Sequence, residues 1–143
     1  MNKIAIVFWS GTGNTEAMAN YIAEGIRTAG GEAELFGPSE FSAGQLASFS
    51  AAAFGCPAMG SEVLEEMEFE PMFASLEGAL SGKRIALFGS YGWGDGQWMR
   101  DWCARCDNAG ASLLDENGLI VNEAPDGDGE AACRELGKRL AQW

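Results

Sequence analysis

Phe8-Trp9-Ser10-Gly11-Thr12-Gly13-Asn14-Thr15-Glu16 closes the first apolar run of the chain, Ile4-Ala5-Ile6-Val7-Phe8, and opens its first amphipathic one. The run before it is continuous and rich in β-branched residues, the pattern of a strand buried on both faces of a parallel sheet, and it is expected to be the central strand. After it, Met18, Ile22, Ala23 and Ile26 recur at helical spacing until Gly30-Gly31 stops the helix. A strand that ends in small and hydroxyl residues and turns into a helix aims backbone N–H groups and hydroxyls at one spot, where an anion can rest on the helix N-terminus. The loop lacks the Gly-Lys-Ser/Thr ending of a Walker A motif and carries Glu16 where a dinucleotide fingerprint has its third Gly. Taken alone it is either a phosphate cradle without a cation or an ordinary strand-to-helix turn capped by a hydroxyl.

The same grammar recurs downstream. Ala33-Glu34-Leu35-Phe36 reads as a short edge strand ended by Gly37-Pro38, whereas Phe41 to Leu46 is too short and Gly-interrupted to assign. Ser50-Ala51-Ala52-Ala53-Phe54-Gly55 has helix-forming alanines at strand length; alternation of strands and helices makes it a buried strand whose small side chains admit a helix above it. A loop over Cys56–Glu62 leads to a helix over Leu64–Leu80, in which Pro71 limits where the regular part begins. Arg84 to Ser90 is again an apolar run stopping at small residues, followed by the loop Gly92–Gly96 and a helix over Gln97–Asn108 with Trp98, Trp102 and Cys106 on one face. A last strand region, Ala111–Leu114 and Leu119–Val121, is interrupted by the turn Asp115-Glu116-Asn117-Gly118, and Glu130–Gln142 closes the chain as a helix. These elements predict a doubly wound parallel sheet, whose ligands bind beyond the C-terminal ends of the strands. The loops at Ser10, Cys56 and Gly89 are expected to converge there.

Composition narrows the function. At 143 residues and 47% hydrophobic, the chain is expected to form one domain, 1–143, with a real core. No apolar stretch is long enough to span a bilayer and the N-terminus lacks a signal-peptide layout, so a cytoplasmic monomer is expected. Nine Lys and Arg against 21 Asp and Glu give a net charge of −12, which repels nucleic acid and anionic lipid and attracts basic protein surfaces. The absence of His excludes hydrolytic triads and His-ligated zinc. Cys56, Cys103, Cys106 and Cys133 are expected to be reduced.

The three loops differ in chemistry. The first offers hydroxyls and N–H groups; the second and third carry Met59, Tyr91 and Trp93 on Gly-rich backbone. An anion site beside aromatic walls describes a flat ring with a phosphate tail. Trp93 stands between two glycines with few apolar neighbours, which argues against a core position. Trp9 to Glu16, Gly55-Cys56-Pro57-Ala58-Met59-Gly60-Ser61-Glu62 and Leu87 to Gly96, in this order and spacing, resemble the short-chain flavodoxins over essentially the whole chain.

That resemblance implies a flavodoxin-like α/β fold, a doubly wound five-stranded parallel sheet in order 2-1-3-4-5 with helices on both faces. It also implies noncovalently bound FMN and low-potential one-electron carriage, as a ferredoxin substitute, to basic docking surfaces of reductases and oxidases. By matching positions, Ser10, Thr12, Asn14 and Thr15 would hold the phosphate, with the backbone from Gly11 to Thr15 completing the cradle. Pro57, Ala58, Met59, Gly60, Ser61 and Glu62 would line the ring on one side, with Glu62 accepting the flavin N3 hydrogen. Gly89, Ser90, Tyr91, Gly92, Trp93 and Gly94 would line the other, with Trp93 stacked and nearly coplanar with the ring. Some members carry a hydroxyl where this chain has Pro57, which removes one hydrogen bond here.

The peptide between Gly60 and Ser61 is expected to turn toward the flavin N5 when that atom gains a proton, since Gly tolerates positive φ. Glu62, Glu65, Glu66, Glu68 and Glu70, with no cation in the stretch, would make addition of a second electron costly by Coulomb repulsion, or form a solvated helix face. Three alternatives keep other features of the sequence. Trp102-Cys103-Ala104-Arg105-Cys106 resembles a dithiol oxidoreductase motif, but Cys103 falls inside a helix beside Asp101 and Asp107, which oppose a thiolate. A small FMN-dependent NAD(P)H quinone or nitro reductase keeps the fold but wants cations for the dinucleotide. The third is a flavin-free interaction module.

Overall fold

In the computed structural model, which describes residues 2–143, β1 (Lys3–Phe8) lies between β2 (Glu32–Phe36) and β3 (Ala51–Gly55), all parallel. β3 pairs on its far side with β4 (Arg84–Tyr91), and the order is β2-β1-β3-β4-β5. The middle strand is therefore β3 and not β1, a correction to the expectation from apolarity. Ala51, Ala52 and Ala53 are buried with the rest of β3, and their small side chains let helices approach the sheet on both faces.

The fifth strand is split. β5 (Ser112–Leu113) pairs with Arg84 and Ile85 and β6 (Leu119–Asn122) pairs with Phe88 to Tyr91, both parallel to β4. Residues 114–118 loop out between them, turned by the Asp115 carboxylate, which accepts the Asn117 N–H at 3.1 Å, and by Gly118 at φ 72°. This is the interruption that Asp115–Gly118 signals in the sequence.

Strand residues alternate between two cores, as the period of two requires. Ile4, Ile6, Ala53, Ala86 and Phe88 face α1 (Asn14–Thr28) and α5 (Gly127–Gln142). Ala5, Val7, Phe54, Ile85 and Leu87 face α3 (Phe69–Leu76) and α4 (Gln97–Asn108), with Leu46 from the single turn α2 (Ala43–Leu46). Helices α1 and α5 cross closely because each places a glycine against the other's backbone. A Cβ at Gly25 would run into the Arg134 carbonyl, and one at Gly137 into the Ile22 carbonyl.

Helix α3 starts at Phe69, later than the Leu64 expected, and the cause is Glu65. Its carboxylate, 5% exposed, accepts the N–H groups of Met67 at 2.8 Å, Glu68 at 2.7 Å and Phe69 at 2.8 Å. These are the donors a helix start leaves unpaired, so Glu65 caps α3 from outside it. Pro71 then falls in the first turn, where its missing N–H costs nothing. Helix α5 likewise begins three residues early, at Gly127, because the Asp126 side chain accepts the Gly129 N–H at 3.1 Å.

Candidate functional site

The loop between β1 and α1 is built as a cradle. Gly13 sits at the N-cap of α1 with φ 97°, a conformation that favours glycine, and so brings the first-turn N–H groups to one side. Ser10 Oγ accepts the N–H of Gly13 at 3.1 Å and of Glu16 at 3.2 Å. The N–H groups of Asn14 and Thr15 belong to the first turn, which has no intrahelical acceptors for them. Thr15 is 1% exposed and its hydroxyl lies 2.9 Å from Ser90 Oγ, so this side chain ties the cradle to β4.

Beyond the cradle a cleft of about 560 Å³ opens at the C-terminal ends of the strands, within the range of small-molecule sites. Gly11, Thr12 and Asn14 form one end; Pro57, Ala58, Met59, Ser90, Tyr91 and Gly92 form the walls. Among the described residues no Lys or Arg lines it. The walls are knit by backbone bonds: the Ala58 N–H donates to the Ser90 carbonyl at 3.0 Å, and the Trp98 indole N–H donates to the Cys56 carbonyl at 3.1 Å. Gly89 is required there, since a Cβ would run into the Cys56 carbonyl oxygen. A larger cavity of about 790 Å³ lies along the middle of α4 beside residues 111–117. It lies away from the strand ends that carry the loops and has no N–H cradle.

Met59 to Glu62 is a tight turn closed by the Glu62 N–H on the Met59 carbonyl at 2.8 Å. Gly60 and Ser61 both lack positive φ, which makes it a type I turn; the residue at positive φ is Glu62, at 53°. Rotating the central peptide converts type I to type II and places the positive φ on Ser61. The Glu62 carboxylate reaches across to Gly94 (φ 88°), where a Cβ would strike Oε1. Glu62 thus lies outside the main cleft, at the junction of the second and third loops.

Trp93 is 65% exposed at the tip of the third loop, as its glycine neighbours suggest. Ser10, Gly13, Thr15, Gly60, Ser61, Gly89 and Gly94 also lie off the cleft wall: Ser10 and Gly13 shape the cradle, Gly60 and Ser61 the turn. Sequence reasoning missed three lining residues. Trp9 donates its indole N–H to Glu68 Oε2 at 2.8 Å, joining the first loop to the second. Glu123, at φ 59°, and Ala124 come from a fourth loop, beyond β6. The rule that ligands bind beyond strand ends, applied to Leu119–Val121, was the available signal.

The acidic stretch is not one solvated face. Burial opposes charge on Glu65, but the three N–H donors prevail and hold its carboxyl below the usual range. Glu70 and Glu77 are bound by Arg105, whose guanidinium reaches Glu70 at 2.6 and 2.8 Å, so a cation does stand beside this stretch. The four cysteines are free and buried. Burial pushes Cys103 up to about 11 and Cys106 up to about 12, with Asp115 and Cys103 adding to the respective shifts. Such thiols are inert at neutral pH, which removes the dithiol reading.

Fold and cleft together define a doubly wound α/β protein with an N–H cradle at a helix N-terminus and a cleft beside a Met-bearing and a Trp-bearing loop. A family model described as Flavodoxin matches residues 6–137. A flavodoxin of Clostridium beijerinckii is 48% identical over 95% of this chain and 97% of its own length. One of Megasphaera elsdenii is 46% identical over 97% and 98%. The solution structure of two-electron reduced Megasphaera elsdenii flavodoxin superposes with a TM-score of 0.89, covering 98% of this chain and 99% of that one. The chain belongs to the flavodoxin family, FMN-binding electron-transfer proteins that are not enzymes.

Proposed function

We propose that this protein, acting as one unit over residues 1–143, is a low-potential one-electron carrier for cytoplasmic redox proteins that also use ferredoxin. The residues present fit FMN: a cation-free N–H cradle for the phosphate, an apolar cleft for the ring, and a carboxylate at Glu62 whose buried Oε1 has no partner among the described residues. Bound FMN supplies the one-electron chemistry. The hydroxyls of Ser10, Thr12 and Asn14's amide hold the phosphate with the first-turn N–H groups of α1, and the helix dipole replaces a cation. Met59 and Trp93 flank the ring, with Pro57, Ala58 and the backbone of Gly89 to Gly92 against its edges. The Glu62 carboxylate accepts the N3 hydrogen. The Gly60 carbonyl, on a peptide that can rotate in its turn, would accept a hydrogen bond from a protonated ring nitrogen of bound FMN. Glu62, Glu66, Glu68 and Glu123, unlike Glu70, have no paired cation among the described salt bridges, and their field opposes a second electron.

One observation carries the carrier reading. Among the described residues, the exposed large apolar side chains are Val63 at 39%, Met67 at 84% and Trp93 at 65%, and all three stand on loops at the cleft. Glu66 and Glu68 flank Met67 in the chain and Asp95 follows Trp93 by two residues, so these loops present apolar side chains among acidic ones, suited to a partner with an apolar centre and a basic rim. Stopped-flow reduction by a ferredoxin-dependent reductase should slow as salt rises and slow several-fold in Met67→Glu. Salt-independent rates with an unaffected variant would contradict the docking site, and rapid reduction by NADPH alone would make the protein a reductase.

A further inference from the structure

Trp9 directly precedes the cradle, and its position is fixed from three sides. Its backbone N–H donates to the Gly55 carbonyl at 3.0 Å, which carries the β1–β3 ladder into the first loop. Its half-buried ring packs against the core covered by α3 and α4. The outer edge of the ring stands against Gly11: a Cβ there would come within 3.1 Å of Trp9 Cη2 and 3.3 Å of Cζ3. The indole N–H, on the five-membered ring, donates to Glu68 Oε2 at 2.8 Å across 59 residues of sequence.

Glu68 is anchored as firmly on its own side. It is the N-cap of α3, its N–H donates to Glu65 Oε1 at 2.7 Å, and its carbonyl accepts the Met72 N–H at 3.4 Å. A donor-only indole and an ionised acceptor, each on a fixed backbone, make a charge-assisted bond that holds its geometry. The side chain of one loop thereby sets the place of a ring that underlies another.

We propose that the Trp9–Glu68 bond is a clasp that keeps the phosphate cradle in its binding form, with Glu68 as a positioning residue for FMN. Glu68 acts only through Trp9: the bond fixes the indole, the indole supports Gly11, and Gly11 with Ser10 sets the entry into α1. A cradle already in place does not have to be ordered when the phosphate arrives. This role rests on the reading of the cradle as the FMN phosphate site, and the experiment separates the two. The charge of Glu68 distinguishes a clasp from a bystander. FMN brings an anionic phosphate, so removal of a merely solvated carboxylate near the site would tighten FMN binding or leave it unchanged. Removal of a clasp weakens it.

FMN-free protein is titrated with FMN and with riboflavin, which has the ring but no phosphate, and binding is followed by quenching of flavin fluorescence. Glu68→Ala should raise the FMN dissociation constant about three- to tenfold, a part of what a hydrogen bond to a charged group contributes, and leave that of riboflavin unchanged. Glu68→Gln keeps an acceptor oxygen for the indole and should recover the loss. Trp9→Phe keeps a ring beside Gly11 and deletes the donor; combined with Glu68→Ala it should bind FMN no more weakly than the weaker single variant. In the FMN-free protein the Trp9 indole N–H resonance, assigned by its loss in Trp9→Phe, should move in Glu68→Ala. Unchanged or tighter FMN binding in Glu68→Ala, an equal loss for FMN and riboflavin, or an indole resonance that stays in place would overturn the clasp. If the unmodified protein takes up neither flavin, or binds riboflavin as tightly as FMN, the phosphate reading of the cradle falls and the clasp falls with it.

Discussion

Replacing Glu65 by Gln tests the most heavily used side chain at the site. The carboxylate takes three backbone N–H groups at 2.7–2.8 Å, two on Oε1 and one on Oε2. Gln keeps one oxygen for Glu68 and Phe69 but turns an NH2 toward the Met67 N–H, so one charged bond is lost and two become neutral. Hydrogen bonds to charged groups contribute about 1.5–3 kcal/mol and neutral ones about 0.5–1.5 kcal/mol. Together these losses come to roughly 3.5–6 kcal/mol, and relief of the desolvation that burial imposes on the charged form returns part of it, so the substitution should cost at least about 2 kcal/mol, or about 4 °C or more in the thermal midpoint for a domain of this size. Because the folded-state pKa is lowered, the stability that Glu65 provides is fully present above its unfolded-state pKa, about 4.3. It is lost as pH falls through the lower folded value. The assay is urea unfolding of FMN-free protein at pH 7 and at steps down to about pH 2.5, below the unfolded-state value, since bound FMN would add its own stabilisation. Glu65→Gln should be less stable at pH 7 and should lose part of the acid dependence. Equal stability at pH 7 with the same acid limb would refute the capping role.

Other expectations follow from single contacts. Ser61→Gly should favour the type II form of the Met59–Glu62 turn and raise the half-reduced fraction in a redox titration; no change would remove the peptide from the redox cycle. Gly137→Ala should force α5 from the Ile22 carbonyl and destabilise the fold by about 1–3 kcal/mol despite alanine's better helix propensity, measured by urea unfolding. With thiols at about 11 or above, Cys103 and Cys106 should resist a thiol reagent at pH 7.5 in native protein and react on unfolding; fast native labelling would reopen the dithiol reading.

Much of this architecture is legible in the sequence because parallel strands buried on both faces need continuous apolar runs, as in Ile4–Phe8 and Arg84–Ser90. The Ala51–Ala53 run is legible only through alternation with helices, and its place in the middle of the sheet only through the family resemblance, since strand order depends on pairings absent from local pattern. The turn Asp115–Gly118 reveals the break in the last strand directly. At the site, hydroxyls, glycines and Trp93 are readable from type and spacing. Glu65 is not: a buried capping carboxylate has the same letter as its solvated neighbours Glu66 and Glu68. The Thr15–Ser90 bond and the Arg105–Glu70 pair join residues 75 and 35 positions apart, and only the fold brings them together.

The central claim is that the Ser10, Met59 and Trp93 loops hold FMN and split its reduction into two one-electron steps. Spectroelectrochemical titration of the protein loaded with FMN tests this directly. The expected result is tight 1:1 noncovalent uptake with two separated potentials, the second well below that of free FMN. Failure to bind FMN, or a single two-electron wave at the free-flavin potential, would contradict it.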